Sequence, residues 1–142
     1  MDSIELLIKY HEGYATKVYR DSEGNLTCGY GHLLALGSPV SKEIAEMFFQ
    51  ADMGIAYDIY RGLYLDLDPV RQAALINLCF NMGDGPTGIR DHDKMLDALQ
   101  AQDWIKAAWE LKNNSIWWYQ VGRRGPDIWS MLMTGQWPQI PK

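Results

Sequence analysis

With 142 residues, 47% of them hydrophobic and 22% charged, the chain has the size of one domain and the composition of a packed core, which excludes a multidomain or disordered reading. Two cysteines are too few for a disulfide scaffold. The 13 basic and 18 acidic residues leave a net charge of −5 with no basic stripe, so no nucleic-acid partner is expected.

The chain opens Met1-Asp2-Ser3-Ile4-Glu5, with neither a basic n-region nor an apolar stretch of signal-peptide length. No apolar run approaches the roughly 20 residues that a membrane-spanning helix needs. A soluble protein made in the cytoplasm, without stable membrane association, is therefore expected. It would reach any extracellular target by another route. Asp2 with Glu5 reads as a capping box, and Ile4, Leu7, Ile8 and His11 fall on one helical face. Gly13 is a stop, so a first helix is expected from about Ser3 to Glu12. Lys17–Arg20 and Asn25–Cys28 have strand character and flank the turn chemistry of Asp21-Ser22-Glu23-Gly24, which predicts a hairpin. Gly29-Tyr30-Gly31-His32 reads as irregular or extended, and Gly37-Ser38-Pro39 as a loop.

Ser41 can cap a long helix with Ile44, Phe48, Ala51, Ile55 and Ile59 as its apolar stripe, running to about Arg61. Asp68-Pro69 is an N-cap followed by Pro at N1, and Gly83 ends the helix that follows. A loop to Gly88 leads to short helices over Lys94–Gln100 and Asp103–Leu111, then an aromatic turn or short helix over Ile116–Tyr119. Gly125-Pro126 starts a last helix that stops at Gly135. All six Trp lie from Trp104 onward and seven of eight Tyr at or before Tyr64, a segregation that hints at two lobes with different cores. The fold class is α+β.

Glu12, Asp21 and Thr27 form the most informative group. A hairpin folding back beside a helix end can bring two carboxyls and a hydroxyl to one opening. Glycosidic hydrolysis needs two carboxyl groups in opposite protonation states. The negative end of a helix favours the protonated form of Glu12, whereas a polar turn with Ser22 and Asn25 favours an ionised Asp21. Taken singly, each has an ordinary reading: a solvated helix face, a turn Asp, a strand Thr. Other patterns are weaker. His11-Glu12 starts a zinc-protease motif that Ala15 breaks, and Asp21–Asn25 lacks the glycine position and distal Glu of a calcium loop, so no metal is expected. Cys28 and Cys79 are expected to be free. Trp104, Trp109, Trp117 and Trp118 at helical spacing suggest core rather than a sugar platform, and the acidic helix Glu43–Asp58 a solvated face.

Glu12-Gly13-Tyr14, Val18-Tyr19-Arg20-Asp21, Gly24-Asn25-Leu26-Thr27 and Gly29-Tyr30-Gly31-His32-Leu33-Leu34 together resemble the phage-type lysozymes. The resemblance continues through Asn77–Gly83, Lys94-Met95-Leu96, Trp104 with Ala107-Ala108, Trp118-Tyr119, Arg123-Arg124 and Thr134–Trp137. It implies one catalytic domain over residues 1–142: a small lobe of about 13–60, and a helical lobe of about 61–142 with helix 1, joined by the long helix. It implies a monomeric muramidase that needs no cofactor. The enzyme would cut bacterial peptidoglycan between N-acetylmuramic acid and N-acetylglucosamine, after release from the host cytoplasm through another protein. Glu12 would be the general acid, Asp21 the base and Thr27 the residue that positions water. Leu33 and Phe80 match saccharide-cleft positions, His32 a structural, salt-bridged histidine, and Arg124 an arginine that pairs with the catalytic glutamate. A lytic transglycosylase and a non-catalytic glycan-binding or virion structural module are the alternatives. The stretch Leu33–Ser41 is short for the family, Asp84–Gly88 is built differently, and the positions near His92 and Glu110 do not keep its residue types. The acidic net charge is unusual beside basic relatives that bind anionic walls.

Overall fold

The computed structural model describes residues 4–113 and 115–139. Asp2 of the expected capping box lies outside them. The described chain is α+β, with seven α-helices and one three-stranded antiparallel sheet. It divides into two compact units, one through Ala45 and one from Glu46.

In the first unit, α1 (Ile4–Glu12) ends where Gly13, at φ +70°, donates its N–H to Lys9 O at 3.0 Å. β1 (Ala15–Arg20) and β2 (Leu26–Gly29) make the expected hairpin, with Tyr19 opposite Thr27 and Arg20 opposite Leu26. A short third strand, β3 (His32–Leu33), pairs Leu33 with Thr27 and His32 with Cys28, so β2 is central. The segment read as irregular or extended is thus partly a sheet edge. Two residues are too few to leave an alternation in the sequence.

α2 (Lys42–Arg61) starts where Ser41 Oγ accepts the Ile44 N–H at 3.3 Å. Its 20 residues span roughly 30 Å. Of the stripe expected on it, Ile59 packs partly against the core, but Ile44, Phe48, Ala51 and Ile55 stay exposed. Ala56 and Tyr60 are buried and Met53 packs partly against the core, while Ile55 stays 60% exposed. The buried seam lies one residue, about 100° of helix, away from Ala51 and Ile55, because Ala56 and Tyr60 are the side chains that join the core.

In the second unit, α3 (Pro69–Met82), α4 (Asp93–Gln100), α5 (Trp104–Asn113), α6 (Ser115–Gln120) and α7 (Arg124–Thr134) surround a core of Leu75, Leu78, Leu99, Leu111, Ile128 and Leu132. α5 packs on α4 and α7, and α3 on α7. A 3₁₀ turn over Ile89–Asp91 follows the Gly-rich loop and buries Ile89. Asp103 caps α5 by accepting the Lys106 N–H at 3.0 Å, and Gly135, at φ +65°, closes α7. Cys28 and Cys79 are free. Burial, with Asp84 nearby, pushes the Cys79 thiol up to about 11, so it packs as an inert apolar group.

Asp68 and Arg71 pin the start of α3 to the end of α7. Asp68 Oδ1 accepts the N–H groups of Val70 and Arg71 at 3.1 Å. Arg71 pairs with Asp68 Oδ2 at 2.7 Å, donates to Leu132 O at 2.7 Å and Met133 O at 3.3 Å, and lies 4.2 Å from the Trp104 ring. Burial works to raise the Asp68 carboxyl from its ordinary 3.8, but the hydrogen bonds and charge of Arg71 outweigh it and hold it lower. A carboxyl depressed on folding stabilises the fold above its unfolded value and loses that contribution as pH falls through the folded one. Asp68→Ala is expected to cost about 1–2 kcal/mol at pH 7. Urea titrations should show wild type and variant converging below about pH 4.

Candidate functional site

Glu12 is the last residue of α1 and is exposed. Its side chain rests against the backbone of Gly31, in the turn between β2 and β3. Asp21 follows β1 and closes the hairpin turn with its own carboxyl. Oδ1 accepts the N–H of Glu23 at 2.9 Å and of Asn25 at 2.8 Å, and Oδ2 faces Asn25 Nδ2 at 3.5 Å. The backbone repeats the closure, with Asp21 N–H donating to Asn25 O at 2.9 Å. This is the local chemistry that makes Asp a turn former, and here it also fixes the rotamer of a carboxyl.

Thr27 is the buried polar residue of the central strand, 4% exposed. Its Oγ1 donates to Asn25 O at 3.3 Å. Asn25 therefore stands between the other two, donating to Asp21 and accepting from Thr27. The proton of the Thr27 hydroxyl is committed to a carbonyl, so what the oxygen offers a ligand is acceptor lone pairs. Sequence reasoning placed Asn25 only in the polar surroundings of Asp21. Its central position rests on two backbone bonds that no composition rule expresses.

Leu33 and His32 lie in β3, opposite Thr27 and Cys28 respectively, and both are exposed. The structure therefore brings Glu12, Asp21, Thr27, His32 and Leu33 into one small unit. Phe80 and Arg124 belong to the other. They line one cavity of about 280 Å³ together with Phe49, Met53 and Tyr57, and the Phe49 and Phe80 rings are 5.8 Å apart. Arg124 opens α7 and is half-buried.

A larger cavity of about 680 Å³ lies beside Met82, between Asn81, Asp91, His92 and Trp117. Trp117 Nε1 donates to Asn81 Oδ1 at 2.8 Å. Burial lowers the His92 imidazole from its ordinary 6.5, against the opposing pull of Asp91 and Asp93. Of the four tryptophans expected in the core, Trp117 is buried and Trp104 and Trp118 pack partly against it. Trp109 is 57% exposed, because Ala107, Ala108 and Leu111 take the inward face of α5. Among the described residues no three His, Cys, Asp or Glu side chains group as a metal site, and no helix is long and apolar enough to cross a membrane.

Comparison with known proteins adds a family. A profile described as phage lysozyme matches residues 9–128. The chain is 30% identical over 166 aligned positions to "Probable T4-type lysozyme 2" of Dictyostelium discoideum, across 95% of this chain and 96% of that protein. It is 27% identical over the same span to "Probable T4-type lysozyme 1" of that organism, with equal coverage. It is also 30% identical to "Pre-baseplate central spike protein Gp5" of Enterobacteria phage T4, across 94% of this chain but 28% of that protein. Alignments of 166 positions exceed the 142 residues here, so these relatives carry segments that this chain lacks.

Proposed function

The chain belongs to the phage lysozyme family, and on that premise we propose that it hydrolyses the β-1,4 bond between N-acetylmuramic acid and N-acetylglucosamine in bacterial peptidoglycan. One observation carries the reading. The hairpin holds Asp21 and Thr27 on a shared neighbour, Asn25, and Glu12 stands at a helix end against the same sheet. In this reaction Glu12 gives its proton to the glycosidic oxygen as the C1–O bond breaks. Water attacks C1 and passes a proton to Asp21. Thr27, with its own proton engaged, accepts a hydrogen bond from that water and turns an oxygen lone pair toward the sugar.

Leu33 and Phe80 supply apolar glycan contacts in this reading, and His32 and Arg124 act in support. No cofactor takes part. The protein acts as a monomer, is made in a host cytoplasm and reaches the wall through another protein. Its net charge of −5 repels an anionic wall and salt screens that repulsion, so activity should not fall as ionic strength rises, in contrast to a basic protein.

The test is product analysis on purified peptidoglycan. New free reducing ends are expected. Anhydro-muramyl ends would replace the proposal with a lytic transglycosylase. The likeness to part of a phage spike protein supports one further reading, a wall-binding module carried in a particle. Co-sedimentation with peptidoglycan, without any new ends across pH and salt, would favour it.

A further inference from the structure

Glycine at position 31 has a neighbour that the other left-handed glycines of the first unit lack. Gly13, Gly24, Gly29, Gly31 and Gly37 all have φ between +60° and +82°. A Cβ added at Gly13, Gly24, Gly29 or Gly37 would meet nothing within 4 Å. A Cβ at Gly31 would stand 2.9 Å from Glu12 Cδ and 3.5 Å from Cγ, and closer still to Oε2. Side-chain carbons do not approach a carboxyl so closely, so the carboxyl rests where it does only because residue 31 has no side chain.

The rest of the turn borders the same stretch of chain. The Tyr30 ring lies 5.2 Å from the Tyr14 ring, and Lys9 Nζ lies 5.5 Å from the centre of the Tyr30 ring. Lys9 and Tyr14 flank Glu12, three residues before it and two after. Tyr30 therefore lies beside the chain on both sides of Glu12 while Gly31 presents bare backbone to the carboxyl between them.

We infer that Gly31 is a positioning residue for Glu12: the β2–β3 turn forms a seat that fixes where the carboxyl points. The inference rests on the reading of Glu12 as the general acid. Its consequence is specific. A side chain at 31 displaces the acid by about an ångström while leaving substrate binding alone. Displacement of that order costs about 10²-fold in rate.

Gly29 supplies the control, because alanine there meets the same backbone strain at φ +60° without touching Glu12. On soluble, uncrosslinked peptidoglycan strands, Gly31→Ala is expected to lower kcat by about 30-fold or more with KM changed less than about twofold. Gly29→Ala should keep kcat within about threefold of wild type. Melting temperatures separate the seat from the fold. The atoms met are the far end of a flexible, exposed side chain that swings aside, so Gly31→Ala and Gly29→Ala should lower Tm alike. A Gly31→Ala kcat within about threefold of that of Gly29→Ala overturns the positioning role. A Tm loss confined to Gly31→Ala assigns its kcat loss to the fold and overturns the role as well. Glu12→Gln alone tests the acid assignment, so its failure is distinguishable from either result.

Discussion

Glu12→Gln is expected to lower turnover of peptidoglycan by about 10²–10⁴-fold, the usual worth of a general acid, and to leave Tm within about 1 °C of wild type. The amide has the shape of the carboxylic acid and fits the same place against Gly31, but it has no acidic proton to give the leaving oxygen. Glu12 is exposed at a helix end, so its charge carries little of the stability. Clearing of purified peptidoglycan, with far-UV circular dichroism to show that the fold is kept, measures both halves. Activity above about a tenth of wild type would remove Glu12 from the mechanism. Asp21→Asn makes a useful companion. Its remaining carbonyl oxygen can still accept the N–H groups of Glu23 and Asn25, so the hairpin turn persists while the base is lost.

Trp117→Ala is expected to cost about 3–5 kcal/mol, the range for removing a large buried aromatic. Trp117 is only 9% exposed. Its loss opens a void onto the 680 Å³ cavity, which is partly polar through Asn81, Asp91 and His92 and roomy enough to admit water, so the cost should fall near the lower end. Tm should drop by about 10 °C. Trp117→Phe separates packing from hydrogen bonding. It keeps a ring in the core but removes the donor to Asn81. Asn81 is exposed and can turn its carbonyl to water, so this variant should cost about 1 kcal/mol or less. A penalty for Phe as large as for Ala would mean that the hydrogen bond, and not the ring, holds α6 to α3.

Helix ends were legible in the sequence because the groups that make them are neighbours along the chain. Ser41, Asp68 and Asp103 each accept an N–H from two or three residues on, and Gly83 and Gly135 terminate helices as their residue type requires. The hairpin was legible for the same reason. What eluded local reading depends on residues far apart. The apolar stripe of α2 meets the core only at Ile59, because a 3.6-residue periodicity fits two neighbouring seams and only contact with the core selects Ala56 and Tyr60. The bond between Trp117 and Asn81 joins residues 36 apart and has no signature in either segment. Gly31 left a trace, since a glycine between extended residues signals close approach of something to the backbone. The sequence could not say what approaches. In the candidate site, residue types and order pointed to Glu12, Asp21 and Thr27. The place of Asn25 between two of them follows from the closure of the hairpin and not from residue type.

Every buried hydrophobic side chain among the described residues lies between Ala56 and Leu132. The small unit bears Glu12, Asp21 and Thr27, and its buried residue is a threonine. Protection against hydrogen exchange should follow the same division. Amides in α3, α5 and α7 should exchange only when the whole cooperative unit opens, and those of the sheet through cheaper, partial openings. The proposed chemistry thus resides in the foldon that opens first. Heat would then silence turnover below the temperature at which helical ellipticity collapses, and the gap between the two transitions would measure how much sturdier the helical half is than the part that works.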